Sequence, residues 1–253
     1  MKSSGIKIKT ADEIKIMAEG GVRLGRVKNA LKEAVKAGVS ASEIESLAND
    51  LLKKEGVEAS FKKVPGYSWA TCINVNKGLV HGIPSPEVIF KKGDLVSVDL
   101  GAYFRGFHTD TSFSVVVEGG EANSKFLNIG KDALARAIKQ ARPGNHIYDI
   151  SRAIEETVLK AGYAPIRALV GHGVGRELHE DPQIPCFVPG KIEESPRIEA
   201  GMALAIEVMY VQGSDKVEIG EDGWTISMAD GKISGLFEET VAIGNNGPVV
   251  LTL

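Results

Sequence analysis

The chain has 253 residues, 43% hydrophobic, 25% charged and 6% aromatic, ordinary values for a folded globular protein that exclude a disordered, collagen-like or coiled-coil chain. With 30 Lys plus Arg against 33 Asp plus Glu, the net charge is -3, so the basic footprint required by nucleic acid or an anionic membrane surface is missing. Cys72 and Cys186 cannot form a disulfide framework or a CxxC site, and no apolar run reaches signal-peptide or membrane-helix length, so a cytoplasmic protein is expected.

Thr10 with Glu13 predicts a capping box opening a first helix, whose apolar positions Ile14, Met17, Val22, Val27 and Leu31 recur at roughly helical spacing. Ser40 with Glu43 repeats the device before Ile44, Leu47, Leu51 and Leu52, and Gly56 predicts the C-terminal cap. Over 68–117 the pattern turns to short β-branched runs (CINV, LVSVDL, SFSVVV) broken by Gly and Pro, which predicts sheet. Two further helices are predicted over 125–142 and Ile147–Lys160, with Pro143 and Gly144 between them, and strands return through AIEVMYV, WTISM and ETVAI. No linker or low-complexity stretch divides the chain, so a single domain spanning residues 1–253 is expected.

The chain also aligns with itself. Ile44, Lys54 and Gly56 recur as Ile150, Lys160 and Gly162 at one constant offset, GDLVSVDL lines up with GMALAIEV, and HGIP at His81 resembles HEDP at His179. Chance similarity and an internal duplication both account for this. A duplication implies two βαβ-like halves about a pseudo-twofold axis, with a site where they meet.

Acids inside apolar strands are the strongest chemical signal. Asp99 and Glu207 occupy equivalent positions of the repeat. Asp110 follows Asp99 across the turn GAYFRGFH, and Glu238 enters another strand in GLFEETVAI. A lone acid of this kind is ordinarily a cap or a surface pair. Four at strand positions, with no Lys or Arg in their motifs except Arg105 in the turn, point to a metal site, because an unpaired buried carboxylate is costly. His172, in the loop VGHGVGRELHE, supplies a nitrogen ligand, and Gly171, Gly173 and Gly175 permit close backbone approach. GHGVG lacks the spacing of a phosphate loop.

Folding alone does not call for a metal in a chain this long, so a bound metal belongs to function. Four carboxylates and a neutral imidazole sum to a charge of -4, which two divalent ions cancel and one does not, so a dinuclear site is expected. Oxygen-rich ligation with one histidine suits Mn, Fe or Co over a thiolate-bound structural zinc, and such a pair of ions activates water for hydrolysis. His81 and His179 are the candidates for holding the developing charge and the leaving group, whereas His108 and His146 read as structural.

Taken together, CINVNKGLVHGIP, VDLGAYFRGFHTDTS, GHGVGRELHEDPQIP, GMALAIE and EDGWTI resemble the type I methionine aminopeptidases over nearly the whole chain. The resemblance implies an α/β (α+β) pita-bread fold: two pseudo-symmetric halves and a curved, mainly antiparallel sheet covered by helices. It implies Asp99, Asp110, His172, Glu207 and Glu238 as ligands of two divalent ions (Co, Mn, Fe or Zn). His81, His179 and Glu207 are implied as catalytic residues, Glu207 passing a proton from water to the leaving amine. Phe61, Val64, Tyr67, Cys72, Leu178 and Trp224 are implied as the substrate side-chain pocket. Removal of the initiator methionine from nascent chains with a small second residue follows, by a monomer without nucleic-acid or membrane partners; ribosome association is a further expectation.

Four positions depart from the family pattern. Val64 and Leu178 stand where many members have Tyr and Phe, Val208 follows Glu207 in place of Pro, and Glu239 follows Glu238 in place of His. Neighbours on a strand face opposite sides, so only one of Glu238 and Glu239 can ligate; the family pattern selects Glu238, and Glu239 is expected to disturb the groups behind it. Xaa-Pro aminopeptidases and prolidases share the ligand pattern, and a non-catalytic binding protein on this fold is the remaining alternative.

Overall fold

Thr10 accepts the Glu13 amide at 3.3 Å and Glu13 accepts the Thr10 amide at 2.9 Å, so the capping box opens helix α1 (Ala11–Ala34). The structure is a computed structural model describing residues 5–119 and 121–253; residues 1–4, the start of the segment read above as lacking a signal run, lie outside them. The buried stripe of α1 is Met17, Leu24, Val27 and Leu31. Val22 departs from the expectation and is 47% exposed, because five residues of helical advance from Met17 turn it roughly 140° off that stripe.

The second capping box opens α2 (Ala41–Glu55), and Gly56 closes it in the left-handed region at φ +70. Then come β1 (Glu58–Ala59), β2 (Thr71–Val75), β3 (Gly78–Val80), β4 (Leu95–Phe104) and β5 (Phe107–Val116). Helix α3 (Glu121–Gln140) starts four residues before the predicted 125 and stops two residues short of the predicted 142, where the residue before Pro143 is disfavoured in the helical region. Helix α4 occupies Ile147–Lys160 as predicted. The second half contributes β6 (Ala164–Pro165), β7 (Val170–Gly173), β8 (Glu180–Pro185), β9 (Ala203–Val211), β10 (Val217–Ile219), β11 (Ile226–Met228), β12 (Ser234–Gly244) and β13 (Gly247–Val250).

The main sheet runs β1-β4-β5-β12-β9-β7-β8, with β2 also on β4, β6 on β9 and β13 on β12, every pair antiparallel. Apolar side chains of α1 and α2 pack on β2 and β4, and those of α3 and α4 pack on β9 and β12. The registers favour duplication over chance. In each half a helix ends on a left-handed glycine, Gly56 or Gly162, and leads into a two-residue strand. That strand pairs Glu58 with Tyr103 in one half and Ala164 with Val211 in the other, positions equivalent under the repeat. Among the described residues no helix is long and apolar enough to cross a membrane.

Candidate metal centre

Sheet register alone brings the acids together. Cys72 pairs with Asp99, Asp99 with Ser112, Ser112 with Glu238, and Glu238 with Glu207, making one row across β2, β4, β5, β12 and β9. Partners directly across an antiparallel pair share a face, and so do residues two apart on one strand. Asp110, two before Ser112, therefore joins the row's face. His172 pairs with Ala205, two before Glu207, and joins it from the other side.

His172 lies on strand β7 and not in the loop expected above. The glycines that hide this strand in the sequence make it possible: a Cβ on Gly171 would lie 2.7 Å from the Ala205 carbonyl oxygen, and one on Gly173 2.2 Å from that of Asp181.

Asp99, Asp110, His172, Glu207 and Glu238 all line one cavity of about 130 Å³, together with His81, His179 and the six residues of the predicted pocket, Phe61, Val64, Tyr67, Cys72, Leu178 and Trp224. Candidate ligand atoms of Asp110, His172 and Glu238 lie within 4.8 Å of one another, with Asp99 and Glu207 flanking them. A wider groove of about 790 Å³ between α3 and α4 contains none of these residues.

Three observations test whether the cluster fits a divalent cation. Asp99 Oδ1 and Glu238 Oε1 are buried without a hydrogen-bond partner, and Ser112 Oγ in the same row also has none. Among the described residues no Lys or Arg ion pair reaches any of the four acids; the buried lysines Lys9 and Lys28 are engaged by Glu180 and Glu239. Finally, His172 Nδ1 contacts the Gly173 carbonyl at 2.8 Å, and since a carbonyl only accepts, the proton is on Nδ1. The Nε2 lone pair then faces Glu207 Oε1 at 3.5 Å, two electron-rich atoms that a cation between them would reconcile. The donors fit.

The electrostatics agree. Burial pushes Asp99 up to about 7. Burial, then the charges of neighbouring acids, raises Asp110, Glu207 and Glu238 well above the ordinary carboxylate range. Burial, then His179, pushes His172 down to about 4, keeping the imidazole neutral as a ligand must be. Burial also lowers His81 and His179.

His81 sits after β3 with φ +57, a left-handed conformation unusual outside glycine, and the His179 ring lies 4.5 Å from that of His172. In the pocket wall Tyr67 meets Trp224 edge to face at 5.1 Å, and Trp69, outside the lining, packs on Tyr67 at 5.3 Å. Trp69 escaped the sequence reading; its place three residues before Cys72 was the available signal. Ser112 escaped it too, although strand alternation from Asp110 points to it.

His108 is structural as expected, bonded to Ser60 at 2.9 Å, and His146 opens α4. Glu239 shares a partner with the groups behind Glu238, since Thr111 Oγ1 meets both its carboxylate and the Glu238 carbonyl. Glu239 faces the helices, where Lys28 Nζ meets it at 2.6 Å and Thr111 and Thr252 donate to it.

This chain belongs to metallopeptidase family M24, whose sequence model matches residues 15–245, so divalent-metal binding is a property of its family. Methionine aminopeptidases match it over nearly the full length of both chains. The one from Clostridium perfringens is 40% identical over 249 residues, 98% of this chain and 99% of the relative. The crystal structure of methionine aminopeptidase from Thermotoga maritima has a TM-score of 0.94 at 40% identity, covering 98% of this chain and 99% of that one. Prolidase from Pyrococcus furiosus is more distant, with a TM-score of 0.77 at 26% identity, covering 97% of this chain and 65% of that one. The fold is the pita-bread arrangement expected above.

Proposed function

We propose that this chain removes the amino-terminal methionine from peptides and nascent proteins whose second residue is small, acting in the cytoplasm as a monomeric, soluble enzyme. The observation that carries the reading is the cluster of four buried acids, with Asp99 Oδ1 and Glu238 Oε1 partnerless, around the Nε2 face of His172, in a chain that matches methionine aminopeptidases over 98% of its length. Asp99, Asp110, His172, Glu207 and Glu238 would hold two divalent ions, with Co, Mn, Fe and Zn as candidates. When bound, the ions supply Lewis acidity that activates water and polarises the scissile carbonyl.

The remaining chemistry belongs to the side chains. Glu207, lining the cavity among the metal donors, would take a proton from the attacking water and return it to the leaving amine. His179, close to His172, and His81, across the cavity, hold the scissile amide and donate to the oxygen as it gains charge. Phe61, Val64, Tyr67, Cys72, Leu178 and Trp224 seat the methionine side chain and exclude water from it. Buried free Cys72 and Cys186 suit a reducing compartment. Ribosome association belongs to this reading as the route to nascent chains.

The test is one preparation, chelated and then supplied with Mn, Fe, Co or Zn, assayed on Met-Ala and Ala-Pro peptides. Cleavage of Met-Ala alone supports the reading. Cleavage of Ala-Pro alone assigns the chain to the prolidase-like alternative, and no cleavage with metal bound makes it a binding protein.

A further inference from the structure

The two histidines of the repeat are each followed by a residue that is anchored from a distance. After His81, the Gly82 amide donates to Asn74 Oδ1 at 3.0 Å and the Gly82 carbonyl accepts from the Ile73 amide at 2.8 Å. After His179 stands Glu180, whose carboxylate receives Lys9 Nζ at 2.7 Å from the segment ahead of α1. The pair is buried, with side chains 4% and 2% exposed.

Lys9 is fixed at both ends. Its backbone amide donates to the Gly201 carbonyl at 2.8 Å, and its stem lies on Gly175, where a Cβ would come within 2.4 Å of Cε. Glu180 in turn accepts the Glu177 amide at 3.2 Å, closing the turn that carries Leu178 and His179, and pairs in register with Gly173, the residue after His172. Burial would raise the Glu180 carboxyl, but the Lys9 ammonium, the Glu177 amide and Lys7 hold it below its ordinary value. Neither Lys9 nor Glu180 lines the cavity.

We propose that Lys9 is a positioning residue for His179: by neutralising Glu180 from behind, it fixes the turn that presents the imidazole. This rests on the functional reading above. Without Lys9, the Glu180 carboxylate keeps only the Glu177 amide and the solvent-facing Lys7 at 3.7 Å, and a carboxylate so weakly paired at this depth draws in water and opens the turn. A displacement of about 1 Å at a catalytic group lowers rate by up to about 10²-fold. Four of the metal donors stand on β4, β5, β9 and β12, away from this turn, and His172 on β7 is also held by its own register with Ala205 on β9.

The test compares wild type, Lys9→Met and Lys9→Arg, each supplied with Mn²⁺, on a Met-Ala-Ser peptide. In Lys9→Met, kcat should fall at least tenfold with KM within about threefold and bound metal unchanged. Backbone amide exchange across 175–181 should speed up at least tenfold. Lys9→Arg should recover kcat to within about threefold of wild type. If Lys9→Met does not fold, Glu180→Gln serves in its place, with a kcat loss of at least threefold expected. A folded variant with wild-type kcat, or one that loses metal in step with activity, overturns the proposal. An inactive wild type with metal bound overturns the functional reading, and the proposal with it.

Discussion

Glu207 and Glu238 are direct cross-strand partners on β9 and β12, two carboxylates at one register position on the same face of the sheet. Like charges so placed are destabilising, and burial sharpens the conflict. Without metal the conflict is relieved by protonation. Asp99, with an unfolded value near 3.8, is raised to about 7, so the folded apo protein binds more protons than the unfolded chain between those pH values. The resulting stability is present below pH 4 and lost as pH rises through 7. His172 and His108, held at about 4 against an unfolded value of 6.5, oppose this at lower pH, so the melting temperature of the chelated protein should fall between pH 6.5 and pH 8, while the metal-loaded protein should not show this fall. A flat or rising apo curve would contradict the shared-proton picture.

His172→Ala removes the nitrogen donor whose other ring nitrogen is bonded to Gly173. Both metal content and peptidase activity should be lost. His179→Ala should keep its metal while kcat drops by ~10² or more, the scale of a positioned catalytic group. Metal analysis beside kinetics separates them, and an apo-like His179→Ala protein would make His179 a ligand.

Lys28→Met leaves Glu239 with only its two threonine donors in a site where the pair's side chains are 10% and 14% exposed. Breaking such a pair should cost about 3 kcal/mol of stability, read by denaturant unfolding. Metal affinity should be unchanged because Glu239 lies on the face away from the cluster. A large loss of metal affinity would show that Glu239 acts through the sheet on Glu238.

Tyr67→Ala removes the ring that joins Trp69 and Trp224 and the hydroxyl bonded to the Thr71 carbonyl at 2.8 Å. KM for Met-Ala peptides should rise at least tenfold with kcat reduced less and metal retained. Equal losses in kcat and kcat/KM would place Tyr67 in transition-state binding instead.

Much of this arrangement was legible beforehand because it depends on short-range signals. The Thr10 and Ser40 capping boxes, the Gly56 cap and the strand acids each declare themselves within a few residues. The self-alignment that set Asp99 opposite Glu207 was weak in identities, yet the paired registers of β1 with β4 and β6 with β9 follow it. What stayed hidden depends on contacts across the chain. Strand β7 is masked by the glycines its crowded neighbours require, and Lys9 meets Glu180 across 171 positions. Lys28 likewise reaches Glu239 from another element, so the face of Glu239 was inferred from alternation but its neutralisation was not.

In the proposed metal centre the five donors hold divalent cations in place of shared protons. Calorimetric titration of the chelated protein with Mn²⁺ at pH 7, repeated in buffers of different ionisation enthalpy, measures both binding and the protons released. Saturable binding that releases protons, weakened at least tenfold by His172→Ala and by Asp99→Asn, is the predicted result. Absence of binding, or binding indifferent to both substitutions, would contradict it.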